Sequence, residues 1–332
     1  MEDTAVSSLI WIFTARCNLA CRHCYVVPRF SRLRELSRES KLRLIDEAAE
    51  LGIEYIGFSG GEPLTHPDFK ELLRRCMEYG IETSVVTNAT AVSDDIVRLL
   101  SDAETMVYVS IDGSKEKHEE LRGEGTWDKT ISGLKKLLEG GVFVATIMAV
   151  TRSNYAYSTE YIETASSLGL EFASMIPAMP TGRALSGDIY VRAHEYAEAV
   201  RRALESAEEH DIKLSLWCTP FAPYIADSPR VRYYSCRLAD VADLDPSGSL
   251  LLCDILDVVI SRADQGLAEA LAEYSRHPLV RLVTNPPELP EPCRTCSIAD
   301  FCRGGCYARS LILKGSLNAG DPLCPRVANS YT

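Results

Sequence analysis

The sequence predicts an α/β fold in two parts: a partial (β/α)6 barrel over residues 1–212 and a cysteine-rich region over 213–332. Three observations predict it. Six apolar runs of four to nine residues alternate with helical stretches through short links, the pattern of a parallel sheet with helical crossovers. Six such units fall short of the eight that close a full TIM-like barrel. Near Lys213 the composition changes, and aromatics, prolines and cysteines become frequent.

The first run, Leu9-Ile10-Trp11-Ile12-Phe13, is long enough for a buried strand and too short for a helix. It leads into Cys17-Asn-Leu-Ala-Cys21-Arg-His-Cys24, three cysteines spaced C-x3-C-x2-C. A helical pattern over Lys41–Leu51 ends at Gly52. The strand Tyr55–Phe58 runs into Ser59-Gly60-Gly61-Glu62-Pro63. Two glycines there let the backbone approach a ligand closely, and the carboxylate suits hydrogen bonds from an ammonium group. Thr65-x-x-Asp68 reads as a capping box for an amphipathic helix over Asp68–Tyr79, in which Cys76 is a small buried residue.

The strand Ser84–Thr87 ends at Asn88, and a helix follows over Asp94–Leu100 behind a Ser93 cap. The strand Met106–Ile111 precedes Asp112-Gly113. Helix Thr126–Leu138, strand Val142–Val150, helix Ser158–Leu168 and strand Phe172–Ile176 complete the six, and Pro180-Thr-Gly182-Arg183 comes next. A long Ala- and Glu-rich packing helix spans Ala193–His210, with His194 and His210 on its surface. Ligand sites in parallel sheets collect at the C-terminal ends of the strands. The cysteine loop, the Gly-Gly-Glu-Pro stretch, Asn88, Ser110/Asp112 and Gly182/Arg183 all fall there.

Of 332 residues, 46% are hydrophobic and 25% charged, an ordinary soluble balance. No run of eighteen apolar residues exists, which excludes a transmembrane helix and a membrane partner of that kind. Met1-Glu-Asp-Thr is acidic and is not a signal peptide. A net charge of −12 argues against a nucleic-acid partner, because phosphate binding wants a basic surface; a basic peptide remains compatible. Twelve cysteines without a secretion signal point to the reducing cytoplasm, where thiols bind metal or do redox chemistry.

Three thiolates so close can hold three corners of an iron–sulfur cube, whose usual complement is four. The iron left over is open to an exogenous group. A zinc knuckle short of one ligand, or a disulfide with a spare thiol, would use the same three residues. A second field holds Cys218, then Cys236 and Cys253 as C-x11-G-x4-C, then Cys293-x2-Cys296-x5-Cys302-x3-Cys306, and finally Cys324. Four cysteines in fourteen residues also suit a structural zinc site.

The first motif resembles that of the radical S-adenosylmethionine (SAM) superfamily, C-x3-C-x-aromatic-C, with His23 in the aromatic slot. Gly60-Gly61-Glu62-Pro63, about forty residues on, resembles that family's site for the SAM amino group. The resemblance implies a [4Fe-4S] cluster on Cys17, Cys21 and Cys24, and cleavage of SAM to methionine and a 5′-deoxyadenosyl radical. It places Ser110 and Asp112 at the SAM ribose and Arg122 at the SAM carboxylate, with Asn88, Asn154 and Arg183 further contacts on the adenine and methionine sides.

The second field resembles the seven-cysteine SPASM pattern of the same superfamily, so the likeness spans nearly the whole chain. It implies two auxiliary [4Fe-4S] clusters. One would lie on Cys293, Cys296, Cys302 and Cys324, the other on Cys236, Cys253 and Cys306, with Cys218 its fourth ligand or that iron left open. Asp254, directly after Cys253, matches a proposed general base in sulfatase-maturing relatives; a capping role is its plain alternative.

The activity implied is oxidative maturation of a peptide, protein or cofactor precursor, fed by a reducing donor such as ferredoxin or flavodoxin. A haem or tetrapyrrole precursor is the rival substrate, and a non-catalytic electron carrier the rival class. Cys17 lies so near the start that no fused leader-binding domain is expected, so a peptide would be recognised directly or by a separate protein.

Overall fold

Alternation sets the first strand. Leu9, Trp11 and Phe13 point to one face of β1 (Ser8–Thr14), and Ile12 points to the other. Trp11 and Phe13 join Phe58 and Phe69 in an outer aromatic layer, with the Phe58 and Phe69 rings 5.6 Å apart and edge to face. Burying such a ring stabilises by about 1.5–3 kcal/mol. The other face, Ile12, packs with Ala15, Val26, Phe30 and Leu251 beneath the cysteine loop.

The structure, a computed structural model, describes residues 6–238, 240–264 and 266–329; Met1-Glu-Asp-Thr lies outside the described residues. The six expected strands form: β1, β2 (Tyr55–Gly60), β3 (Glu82–Thr87), β4 (Met106–Ser110), β5 (Val144–Val150) and β6 (Phe172–Pro177). Each pairs in parallel with the next. Helices Arg38–Glu50, Phe69–Glu78, Asp94–Asp102, Thr126–Glu139 and Ser158–Ser167 make the crossovers, and Ala193–Glu209 follows β6. In the helix Phe69–Glu78, Phe69, Leu72, Leu73 and Cys76 form the buried stripe. His194 and His210 are exposed, as expected.

Two local expectations fail. The capping box at Thr65 does not form: Thr65 Oγ1 donates to the Glu62 carbonyl, and Asp68, at the cap, instead takes the buried Lys41 ammonium at 3.0 Å. Ser93 also caps by position only, its hydroxyl turned to Asp95.

The compositional change at Lys213 is not a break in the sheet. β7 (Lys213–Leu216) pairs in parallel with β6, and β8 (Val231–Tyr233) with β7. β9 (Val241–Leu244) returns to the opposite edge and pairs in parallel with β1. β10 (Ser249–Leu251) and β11 (Val259–Arg262) add an antiparallel hairpin beyond it. One eleven-stranded sheet results, with β11 and β8 at its edges. The strand ends of the core and the turn between β9 and β10 therefore lie on one rim.

Candidate active site

The cysteine loop leaves β1 and is pinned at its root by the loop after β2. Gly61 N donates to Thr14 O at 2.8 Å and Glu62 N to Arg16 O at 2.9 Å. A methyl on Gly60 would sit 2.3 Å from Thr14 O, and one on Gly61 2.0 Å from Arg16 O. The two glycines are thus required by the approach of the cysteine loop itself. Pro63 then opens a short 3-10 turn.

Glu62 is buried, 1% exposed, and both its oxygens are engaged. Oε1 accepts from Leu64 N (3.1 Å) and Thr87 Oγ1 (2.6 Å), and Oε2 from Asn88 N (2.7 Å). Burial raises its carboxyl above the usual range, and these hydrogen bonds oppose that. These three bonds tie β2 to the end of β3. Asn88 extends the tie: its Nδ2 donates to Asn18 Oδ1 at 2.9 Å, inside the cysteine loop.

Cys17, Cys21 and Cys24 are free thiols that face one another electrostatically. Leu19 N points at Cys17 Sγ and Val27 N at Cys24 Sγ, both at 3.4 Å. Burial pushes the Cys17 thiol up to about 11. Three free thiols on one short loop, two of them with a backbone N–H aimed at the sulfur, are the donor set a thiolate-held iron–sulfur group requires, so the residues fit that group.

On the far side of the loop, Asp112 is fully buried and pairs with Arg122, Oδ2 to Nε 2.6 Å. Burial pushes the Asp112 carboxyl up, but Arg122, His23 and His118 outweigh it and the net direction is down. Asp112 Oδ1 accepts from Ala149 N at 2.9 Å. Ser110 is buried two residues earlier, at the end of β4. Burial raises the Cys21 thiol, and the Arg122 charge opposes that.

His23 Nδ1 and both ring nitrogens of His118 are buried with no hydrogen-bond partner among the described residues. Burial pushes each imidazole down to about 4. Orphaned polar atoms beside an ion pair mark this as a polar site. Asn154 is engaged at both ends: its Oδ1 accepts from Thr151 N and Oγ1, and its Nδ2 donates to the Asp112 and Ala149 carbonyls. It thereby locks the end of β5 to that of β4. Arg183 donates from Nη1 to Cys21 O at 3.1 Å, and its N–H to Cys24 O at 3.0 Å. Gly182, at φ +55°, allows this contact, because a methyl there would meet Cys24 O at 2.7 Å.

The second cysteine field reaches the residues beside the cysteine loop. Tyr25, next to Cys24, donates its hydroxyl to Asp254 Oδ2 at 2.7 Å. Asp254 N donates to Asp243 Oδ2 at 2.8 Å, and Arg29 Nη1 to Asp254 O at 2.7 Å. Asp243, Cys253 and Asp254 offer ligand atoms within 4.8 Å of one another. Burial beside Asp254 pushes the Asp243 carboxyl well up, and burial raises Asp254 against the Tyr25 and Arg29 contacts.

The eight cysteines fall into two quartets. Cys293, Cys296, Cys302 and Cys324 line one cavity with Phe221 and Tyr224. In the other set, Cys306 acts electrostatically on Cys218, Cys236 and Cys253. All eight are free thiols, and each set has four sulfurs, the complement of a cube. A buried ion pair joins the sets: Arg309 grips Asp321 through Nε (3.1 Å) and Nη2 (2.6 Å) and donates to Cys218 O at 2.6 Å. Asp321 Oδ2 also accepts from Cys306 N at 2.9 Å.

Arg237, 1% exposed, donates to the Gly305, Val283 and Leu317 carbonyls at 2.8–2.9 Å. No carboxylate is within ion-pair distance of it among the described residues. Asp243, Tyr25, Arg237, Arg309 and Asp321 escaped the sequence reading. Only the position of Tyr25, beside a motif cysteine, was a signal.

Residues 11–165 match the Radical SAM superfamily. Residues 11–165 thus carry a radical SAM domain, the chain is an enzyme, and its C-terminal region is rich in cysteine. Its relatives include the AdoMet-dependent heme synthase of Oleidesulfovibrio alaskensis, 28% identical over 353 residues and covering 98% of this chain and 89% of that protein. The PqqA peptide cyclase of Granulibacter bethesdensis is 27% identical over 322 residues, covering 94% and 85%. Streptococcus suis SuiB bound to S-adenosylmethionine matches in fold, with a TM-score of 0.77 at 18% identity over 97% of this chain and 78% of that one. A radical SAM enzyme holds a [4Fe-4S] cluster and SAM.

Proposed function

We propose that this enzyme is a maturase that oxidatively modifies a peptide or protein substrate, using one SAM-binding and two auxiliary [4Fe-4S] clusters. The supporting observation is the pair of cysteine quartets, joined through residues 302–306, behind a radical SAM core. Residues 1–212 are taken as that core and 213–332 as the auxiliary region. Cys17, Cys21 and Cys24 would hold the SAM cluster. Cys218, Cys236, Cys253 and Cys306 would hold the nearer auxiliary cluster, and Cys293, Cys296, Cys302 and Cys324 the distal one. When bound, these groups supply the electron that cleaves SAM to the 5′-deoxyadenosyl radical and accept the one released on substrate oxidation.

The residues of the chain bind and orient. Arg122, with Nε held by Asp112, keeps N–H groups for the SAM carboxylate. Ser110, Asp112 and Arg183 lie where the ribose and methionine ends would rest. His23 and His118 offer unpartnered nitrogens to the same site. Asp254, held at Oδ2 by Tyr25, is the base that would take a substrate proton.

A peptide substrate is favoured by the relative named PqqA peptide cyclase and by SuiB, also solved bound to its precursor peptide SuiA. Such a peptide would be recognised directly or delivered by a separate recognition protein. The relative named heme synthase favours a second reading, a tetrapyrrole or other metallocofactor precursor. No helix of the described residues is long and apolar enough to cross a membrane, and the free thiols suit the cytoplasm.

Anaerobically reconstituted protein should bind about twelve iron and twelve sulfide, three cubes, and form 5′-deoxyadenosine with dithionite. Candidate precursor peptides and tetrapyrroles would then be screened by mass spectrometry. Colourless protein with stoichiometric zinc would refute the proposal. Turnover of a tetrapyrrole and of no peptide would select the second reading.

A further inference from the structure

The chain is acidic overall, yet residues 29–43 hold six basic side chains (Arg29, Arg32, Arg34, Arg38, Lys41, Arg43) against two acids, Glu35 and Glu39. Two of the six are engaged inside the fold. Arg29 is bound to Asp257 and to the Asp254 carbonyl. Lys41, 1% exposed, pairs with Asp68 at 3.0 Å and Glu35 at 3.8 Å. The other four are exposed, and Arg32 and Arg34 have no ion-pair partner among the described residues.

This segment walls an open groove of about 750 Å³. Val27, Phe30, Leu33 and Leu36 give it an apolar side, and Arg16, Arg34 and Arg38 give it a basic rim. Its acids are already compensated. Glu35 accepts from Thr14 Oγ1 and Ala15 N and faces His66 and Lys41, and Asp68 takes Lys41. The groove therefore presents net positive charge on a protein that elsewhere repels anions.

The groove also touches the cysteine loop, and it does so at Cys17. None of Asp112, Arg122, Arg183 or Asp254, on the SAM and substrate side, lines it, and neither does Cys21 or Cys24. A body seated here comes up to the cluster-holding loop without occupying the other side. Apolar surface rimmed by exposed cations, of which Arg34 has no ion-pair partner among the described residues while Arg16 pairs with Glu35 and Arg38 with Glu71, suits a small, transient, charge-steered contact, the kind electron-transfer partners make.

We propose that this groove is the docking surface for an acidic, low-potential one-electron carrier protein, which delivers its electron to the site held by Cys17. The proposal rests on the radical SAM reading, in which each SAM takes one electron, its sulfonium–C5′ bond breaks, and methionine and the 5′-deoxyadenosyl radical are released while the carrier is oxidised by one electron. Because the groove recognises charge, the exposed arginines set the carrier's association rate and its salt dependence.

The test compares two reductants on reconstituted full-length enzyme: dithionite, which needs no docking, and reduced flavodoxin, an acidic carrier. The variant is Arg32→Glu/Arg34→Glu, two exposed positions without partners, with Arg34→Lys as the charge-conserving control. With dithionite, 5′-deoxyadenosine formation should stay within about twofold of wild type, as for surface changes of small effect. With flavodoxin at low salt, the apparent KM should rise about tenfold or more, the gap should narrow as salt rises, and Arg34→Lys should behave as wild type.

An unchanged flavodoxin KM would overturn the proposal. So would weaker binding of substrate under dithionite in the same variant, which would make the groove a site for an acidic substrate. Wild type that fails to cleave SAM with dithionite would instead refute the underlying radical SAM reading.

Discussion

Glu62→Gln tests how the cysteine loop is held. The carboxylate accepts three hydrogen bonds, from Leu64 N and Thr87 Oγ1 at one oxygen and from Asn88 N at the other. An amide has one acceptor oxygen, so its NH2 must face a donor in either orientation. Placed at Oε2, it opposes Asn88 N. Placed at Oε1, it opposes Leu64 N and the Thr87 hydroxyl, whose oxygen already accepts from Ala89 N at 2.9 Å. At least one buried N–H loses its partner, which costs about 1–3 kcal/mol, and the surviving bonds lose their charge assistance.

The expected loss is therefore roughly 3 kcal/mol of stability, measured by urea unfolding of the metal-free protein. The cysteine loop should loosen with it, because Glu62 N and Asn88 Nδ2 hold Arg16 O and Asn18, and reconstituted iron content should fall. A loss under about 0.5 kcal/mol, the range of ordinary surface changes, combined with weaker SAM binding, would refute this. It would show that Glu62 meets the SAM ammonium directly.

Other outcomes follow from the same geometry. His118 is held neutral by burial, with its pKa near 4 against 6.5 unfolded, so the unfolded chain takes up its proton first as pH falls. Stability should drop between about pH 6.5 and 4 by up to about 3 kcal/mol from this group. His118→Phe should remove that slice of the acid unfolding curve, and an unchanged curve would count against it. Cys293→Ala/Cys296→Ala should lower iron by about four per chain and spare dithionite-driven 5′-deoxyadenosine formation while substrate turnover stops; full turnover would make the distal quartet purely structural. Arg237→Gln removes a buried positive charge that acts on Cys306 and Cys302. The auxiliary midpoint potentials should fall in an EPR-monitored titration of folded protein, since net charge near a cluster sets its potential; unmoved potentials would assign Arg237 to packing alone.

The core was legible because its signals are local. Strands such as Leu9–Phe13 and Val144–Val150 are runs of apolar residues bounded by turn residues, and a parallel sheet buried on both faces needs such runs. β7 to β11 were not legible, for a physical reason. Each has three or four residues, and Val241-Ala-Asp-Leu244 includes an acid. These segments are strands because a finished neighbour offers a free edge, as β1 does to β9 and β6 to β7.

The site divides in the same way. Spacing exposed the cysteines, but spacing cannot show that Glu62 and Asn154 make hydrogen bonds that tie neighbouring strand ends together. Arg309 and Asp321, each 1% exposed or less, lie twelve residues apart across a helix and a turn. No short motif joins them.

The return of β9 to β1 bears on function. It draws the segment after it back over the cysteine loop. Leu36 N donates to Pro246 O at 2.9 Å, Tyr25 binds Asp254, Arg29 binds Asp257, and Glu47 accepts from Leu267 N at 2.5 Å. Four contacts from one stretch, residues 246–267, thus clamp residues 25–47, which carry the loop's exit and the groove. The two cysteine fields are not a core with an appendage, since the same sheet registers both. Where Cys253 sits relative to Cys24 depends on the register of β9 on β1, and a one-residue slip there would turn Leu244 out of the core and Asp243 into it. The hydrophobic pattern of one short strand therefore helps to set the spacing between the loop that would bind SAM and the nearer quartet.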